Sequence, residues 1–181
     1  MYLWLTNNQA RAIIEHALRE TPREACGLLG GVDFRVDQVI PIKNIAQNPK
    51  SHYVMEQSAF VNAMFAFQKA GISLIGIYHS HPENDPIPSA TDIHQSYYPD
   101  TIYLIVSLKH YQAAMAAWHI HNGQVERVQL HIGDEPPEFE PEISLTRAQK
   151  VAILLSALIA FMLMLTLSLS LLPPAPPLPV R

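Results

Sequence analysis

The sequence predicts a β-rich α/β domain followed by one membrane-spanning helix. Three features lead to this prediction: two segments with apolar residues at helical spacing, several short runs of strand length, and a long uncharged segment near the carboxyl end. The chain has 181 residues, of which 49% are hydrophobic. This size and composition suit one ordinary domain with an appended segment.

Two segments are expected to form helices. Residues 8–20 carry apolar side chains at helical spacing, and three polar residues near the start can cap the helix: Thr6, Asn7 and Asn8. Residues 56–70 show the same spacing and are followed by Gly71. Glycine suits the left-handed backbone conformation that is common at helix ends.

Six segments are expected to form strands. Residues 25–31 and 35–42 are short and flank three residues, which indicates a hairpin. Residues 72–78 form an uninterrupted apolar run, typical of a strand that is buried on both faces. The remaining strands are expected at residues 101–108, 113–120 and 125–132.

The carboxyl-terminal part is expected to lie outside this domain. Residues 133–150 begin with GDEPPEFEPE, an acidic and proline-rich stretch whose composition predicts a linker. Residues 151–172 contain no charged side chain, and as a helix they would span about 33 Å, close to the thickness of a bilayer core. The predicted organisation is a domain at 1–132, this linker, a membrane anchor at 151–172 and a proline-rich tail at 173–181.

The expected location is a membrane, with a single-pass tail anchor and the folded domain in the cytoplasm. Arg147 and Lys150 precede the apolar segment and only Arg181 follows it, so the positive-inside bias places the domain on the cytoplasmic side. The amino terminus has no basic segment followed by a long apolar core, so it does not resemble a secretory signal.

The composition argues against two kinds of site. The formal net charge is −4 and Lys and Arg form no run, so the sequence lacks the electrostatic footprint of nucleic-acid binding. The single cysteine, Cys26, excludes an intrachain disulfide and a multi-cysteine zinc site. Its place in an apolar strand favours a core thiol over a nucleophile.

Three residues are expected to bind a catalytic zinc ion: His79, His81 and Asp92. In a strand, residues two apart project to the same side, so both imidazoles can reach one metal. The proline-rich loop PENDPIP can return the chain to a short helix that is capped by Ser89 and contains Asp92. Two histidines and one carboxylate leave a fourth position on zinc for water, as a metal-dependent hydrolase requires.

A second pair of histidines has the same spacing and provides a comparison. His119 and His121 are separated by one residue, but no Ser or Asp follows at a suitable distance and an Asn122-Gly123 turn intervenes. This second pair is therefore interpreted as strand surface.

The segment GIYHSHPENDPIPSATD, residues 76–92, resembles the signature of the JAMM, or MPN-plus, metalloproteases. That signature is a distant glutamate followed by His-Ser/Thr-His, seven residues, Ser, two residues and Asp, and the segment matches it without a gap. Upstream, residues 24–30 resemble the family's glutamate strand, and residues 41–44 resemble the end of its next strand. The resemblance covers about residues 6–130.

The resemblance implies a fold and a mechanism. The fold is a mixed β-sheet flanked by helices, of the MPN/JAMM type and similar to cytidine deaminases. His79, His81 and Asp92 would bind zinc, Glu24 would act as general base and acid, and Ser89 would stabilise the oxyanion.

The implied activity is that of a zinc metallopeptidase or isopeptidase. Its protein substrate would be a ubiquitin-like or sulfur-carrier protein, cleaved after a carboxyl-terminal Gly-Gly. The alternative is a non-catalytic protein-binding scaffold at a membrane, because some members of the fold have lost their metal ligands. The presence of every ligand and of Glu24 favours the enzyme, and the nearly minimal core indicates a prokaryotic type of member.

Overall fold

The structure is a computed structural model that describes residues 1–137 and 147–171. It divides into two compact units, Met1–Pro137 and Glu138–Arg181. Three predicted parts lie outside the described residues: 138–146 of the linker, Leu172 of the anchor, and the tail at 173–181.

The first unit contains both helices and strands, in agreement with the predicted α/β class. In chain order its elements are β1 Tyr2–Leu5, α1 Asn7–Glu20, β2 Cys26–Val32, β3 Arg35–Ile42, α2 Gln57–Ala70, β4 Ser73–His81, α3 Ala90–His94, β5 Ile102–Ser107, β6 Ala114–His121 and β7 Gln124–Ile132. The predicted helices and strands of this part are confirmed, with ends that differ by a few residues. Strand β1 was not predicted.

The strands form a mixed sheet that closes into a barrel in the order β1-β3-β2-β4-β5-β6-β7. Strand β1 closes it, because it pairs in parallel with β7 along its length and with β3 at Trp4 and Arg35. The sequence led us to expect a mixed sheet flanked by helices, and the closure was not foreseen. Four residues are too few for β1 to show a clear alternation of apolar and polar side chains.

Helices α1 and α2 cover opposite faces of the sheet. Leu29 of β2 lies in the same core cluster as Ile13 of α1, whereas its neighbour Leu28 lies in the cluster that contains Phe67 of α2. Adjacent strand residues project to opposite faces, so β2 is buried on both sides. Burial on both faces explains why β2 reads as a continuous apolar run.

Local sequence signals account for the ends of several elements. The hairpin between β2 and β3 turns at Asp33 and Phe34, which both have positive φ angles of 50° and 65°. Thr6 caps α1 in a capping box with Gln9. Helix α2 ends at Gly71, whose φ of 71° is left-handed.

The absence of a side chain at Gly27 allows β2 and β4 to pack closely. A Cβ atom at Gly27 would collide with the ring of Tyr78 and would lie 2.5 Å from the carbonyl oxygen of Ile40. The Tyr78 hydroxyl lies 2.9 Å from Nδ1 of His16, so the ring also connects β4 to α1. This packing holds the start of β2 against the carboxyl end of β4.

The second unit contains helix α4, Arg147–Ser170. Within it, Val151–Ser170 has a mean hydropathy of 2.5 and is long and apolar enough to cross a membrane. This segment overlaps the predicted anchor at 151–172. Length and composition are its only support, so the predicted membrane location stays a prediction.

Candidate metal centre

The three predicted ligands meet where β4 ends. His79 and His81 lie two residues apart at the carboxyl end of β4, so their side chains project to the same side of the sheet. The third, Asp92, lies in α3, which begins directly after Ser89. A capping box fixes this helix, because Ser89 Oγ accepts from the Asp92 N–H at 3.2 Å and Asp92 Oδ2 accepts from the Ser89 N–H at 2.7 Å.

The donor atoms of these three side chains converge. The two Nε2 atoms of His79 and His81 are 3.0 Å apart, and each lies 3.4 Å from a carboxylate oxygen of Asp92. All three residues are buried, and their ligand atoms lie within 4.8 Å of one another. Two imidazoles and a carboxylate at this spacing form a donor set that suits zinc.

The hydrogen bond at Nδ1 of His81 supports metal binding through its Nε2 atom. Nδ1 of His81 lies 2.9 Å from the carbonyl oxygen of Asp85, which can only accept, so this nitrogen carries the proton. Nε2 of neutral His81 therefore presents a lone pair towards His79, as a metal ligand must. In the described part of the chain, Nδ1 of His79 is buried without a hydrogen-bond partner. The donor set thus fits a cation placed between the Nε2 atoms.

The electrostatics at Asp92 and His81 favour positive charge, whereas burial lowers the pKa of His79. Burial alone would raise the pKa of Asp92, but contacts with His79 and His81 hold that pKa well below its usual range. Burial also opposes a proton on His81, yet hydrogen bonds to Asp92 and to the Asp85 carbonyl raise the pKa of His81. The charge on Asp92 that attracts a proton attracts a metal cation in the same way.

Glu24 lies two residues before β2 and faces the same site. Its side chain is buried, and Oε2 has no hydrogen-bond partner among the described residues. Burial raises the pKa of Glu24 to about 7, with Asp92 adding to the effect and His81 opposing it. Together with His81 and Ser89, this residue lines a cleft of about 400 Å³. The structure therefore brings all five predicted site residues to one place.

Ser80, which lies between the two histidines in β4, bonds the residue that precedes β2. Its Oγ accepts from the Ala25 N–H at 2.8 Å, and its own N–H donates to the Ala25 carbonyl at 2.9 Å. Both bonds lie one residue from Glu24. Ser80 therefore holds Ala25, the residue that follows Glu24, beside the two histidines.

The comparison histidines and the cysteine lie outside the centre. His119 and His121 stack on the surface of β6 with ring centroids 6.1 Å apart, and the nearest acceptor of His119 is the Pro99 carbonyl at 2.7 Å. Cys26 is buried with Sγ 3.4 Å from the Ile42 carbonyl, and burial raises the pKa of its thiol to about 12. Both features agree with their interpretation from the sequence.

Two residues of the site were not predicted. Tyr53 stacks on the ring of His79, with centroids 4.7 Å apart and an interplanar angle of 27°. Asn44 is buried and hydrogen-bonds the Glu24 carbonyl at 2.9 Å. Asn44 ends the segment 41–44 that carried part of the family resemblance, whereas nothing in the sequence distinguishes Tyr53.

Comparison with known proteins places this geometry in a family. The profile described as prokaryotic homologs of the JAB domain matches residues 6–121. A desampylase from Haloferax volcanii is 41% identical over 95 residues, which cover 51% of this chain and 68% of that protein. A CysO-cysteine peptidase from Mycobacterium tuberculosis is 28% identical over 127 residues, which cover 68% and 86%.

One solved structure is similar to this chain in both sequence and fold. The solution structure of a protein from Desulfitobacterium hafniense is 31% identical and superimposes with a TM-score of 0.67, covering 74% of this chain and 94% of that one.

Proposed function

Because the chain belongs to the prokaryotic JAB-domain family, a branch of the JAMM/MPN hydrolases, we propose that it is a zinc-dependent peptidase or isopeptidase. Its substrate is a ubiquitin-like or sulfur-carrier protein, and the bond that it cleaves follows a carboxyl-terminal Gly-Gly. One observation carries the proposal: the candidate ligand atoms of three buried residues converge beside a cleft lined by His81 and Glu24. Oε2 of Glu24 is buried there and has no hydrogen-bond partner among the described residues. The relatives named desampylase and CysO-cysteine peptidase support this class of substrate.

The protein residues have separate tasks in this reaction. Zinc held by His79, His81 and Asp92 would supply a Lewis acid that activates a water molecule and polarises the scissile carbonyl. Glu24 takes a proton on a carboxylate oxygen and returns it to the leaving amine. Burial raises the pKa of Glu24 to about 7, so both the ionised form that accepts a proton and the protonated form that returns it are accessible near neutral pH.

Ser89 can stabilise the negative charge that develops on the substrate. Its Oγ already accepts the N–H of Asp92, which leaves the hydroxyl proton free to donate into the cleft. A donor placed there acts on the transition state more than on the bound substrate.

The alternative function is that of a protein-binding scaffold without catalysis. A scaffold has no need to keep three converging ligands and a buried carboxyl group that costs free energy to desolvate. The complete site therefore favours the enzyme.

The function is tested with the full-length chain and a linear fusion of a ubiquitin-like protein, ending in Gly-Gly, to a reporter. A second substrate carries the same protein on a lysine side chain. We expect cleavage after Gly-Gly, identified by the mass of the released fragment, loss of cleavage with a chelator, and recovery when zinc is added back. A fusion ending in Ala-Ala is the control. Cleavage that persists in chelator, or binding of both substrates without cleavage, would contradict the proposal.

We also propose that α4 anchors the protein in a membrane with the domain on the cytoplasmic side. Support comes from the apolar segment Val151–Ser170 and from Arg147 and Lys150 before it. We expect the full-length chain to sediment with membranes and to resist a carbonate wash, while a chain that ends at residue 146 stays in the supernatant. Recovery of the intact full-length chain in the soluble fraction would refute the anchor.

A further inference from the structure

The backbone of Glu24 is held by a loop rather than by the sheet. Glu24 precedes β2, which begins at Cys26, so the strand ladder does not include it. Instead its N–H donates to the Pro49 carbonyl at 2.6 Å, and its carbonyl accepts from Nδ2 of Asn44 at 2.9 Å. The connection between β3 and α2 therefore holds both backbone polar groups of Glu24, while Ser80 of β4 holds the next residue, Ala25.

Asn44 is the centre of that connection. Its buried amide uses its full hydrogen-bonding capacity. Nδ2 donates to the carbonyls of Glu24 at 2.9 Å and His52 at 3.2 Å, and Oδ1 accepts from the N–H groups of Ala46 at 3.0 Å and Val54 at 3.1 Å. Rotating the amide by 180° would break all four bonds, so the network fixes its orientation.

The same amide reaches a residue that contacts a metal ligand. His52 and Val54 are the two neighbours of Tyr53 in the chain, and both bond to Asn44. The Tyr53 ring stacks on His79 at 4.7 Å. Asn44 thus connects the backbone of Glu24 to the segment that holds the Tyr53 ring against His79.

We propose that Asn44 is a positioning residue for the hydrolytic reaction, which acts by holding the Glu24 carboxyl group at the correct place beside the three ligands. This inference rests on the proposed function, because it assigns Asn44 a role through Glu24. A displacement of about 1 Å of a catalytic group can reduce a rate by about 10²-fold, so we expect the hydrogen bond that holds the backbone carbonyl of Glu24 to affect turnover.

Asn44→Asp is the test, because it keeps the shape of the side chain and the acceptor for Ala46 and Val54 but removes both N–H donors. The carbonyls of Glu24 and His52 then face a carboxylate oxygen. For the Gly-Gly fusion we expect kcat to fall by about 10- to 100-fold and KM to change by less than about twofold, with zinc content unchanged. In the zinc-free chain, amide protons of residues 45–54 should exchange about tenfold faster.

Thr101→Val is the matched control. Thr101 is also buried and its Oγ1 donates to a backbone carbonyl, that of Tyr98 at 2.8 Å, but it does not contact Glu24 or Asn44. We expect it to leave kcat within about twofold of the parent when both are assayed well below their melting temperatures. An equal fall of kcat in the control would show that Asn44→Asp acts through general stability and would overturn the proposal.

A double substitution separates this role from the catalytic assignment. If Asn44 acts through Glu24, adding Asn44→Asp to Glu24→Gln should reduce single-turnover cleavage by less than about twofold beyond Glu24→Gln alone. A further tenfold loss overturns the positioning role while leaving the proposed function intact. Full activity of Glu24→Gln alone instead overturns the catalytic assignment.

Asn44→Ser is carried in parallel, because its hydroxyl can donate to one carbonyl but cannot replace both bonds. We expect its kcat to lie between those of the parent and Asn44→Asp. If neither variant folds, Asn44 serves folding, and the proposal is overturned.

Discussion

Replacement of Glu24 by glutamine is expected to lower kcat for cleavage of the Gly-Gly fusion by about 10²–10⁴-fold. Glutamine has nearly the same shape but cannot accept a proton at neutral pH, whereas the site needs a carboxylate to take one from water. The buried Oε2 atom has no partner in the described chain, so the substitution breaks no side-chain hydrogen bond there. Zinc content should stay at about one per chain, because Glu24 is not in the ligand set.

Glu15→Gln is the control for this substitution. Glu15 is exposed on α1, so the same change of charge is made away from the site. We expect its kcat to match that of the parent, as measured by steady-state release of the reporter. Activity of Glu24→Gln equal to that of Glu15→Gln would remove Glu24 from the mechanism.

The parts of the site that depend on local sequence could be predicted. The pleat of a strand fixes the common direction of His79 and His81, and a serine at a helix start indicates the cap that holds Asp92. Both rules act over a few residues. For that reason the sequence was sufficient to propose the ligand set, and the structure brings those atoms together.

The position of Glu24 depends on strand register, which local patterns do not determine. In the structure Cys26, the first residue of β2, pairs with His79 of β4. This pairing places the start of β2, and Glu24 before it, beside the ligands. A shift of register by one residue would turn every side chain of β2 to the other face. Only the family resemblance made Glu24 a candidate from the sequence.

Long-range packing also explains what the sequence did not reveal. Strand β1 acquires its role from partners more than a hundred residues away, since it pairs with β7 at residues 129–132. Asn44 and Tyr53 reach the site only because the β3–α2 connection folds back over Glu24. Such contacts leave no periodic pattern in the chain.

Replacement of His81 by glutamine is expected to remove the metal and with it the activity. The substitution keeps an uncharged side chain of similar length but removes the imidazole lone pair that faces His79. Zinc content after dialysis should fall from about one to below about 0.1 per chain, measured by elemental analysis, and cleavage should fall to background. Zinc at a hundred times its dissociation constant stabilises the parent by about 2.7 kcal/mol, and this stabilisation should be absent in the variant.

His121→Gln is the matched control because His119 and His121 repeat the spacing of the ligand pair on β6, where His121 is exposed. It should bind zinc, respond to zinc in thermal unfolding and cleave the fusion as the parent does. Zinc retained at about one per chain in His81→Gln, or lost in His121→Gln, would place the metal elsewhere. The two outcomes are expected to differ because, among the described residues, a carboxylate converges on the first pair and not on the second. We therefore expect the third ligand, and not the histidine spacing, to decide which strand end binds zinc.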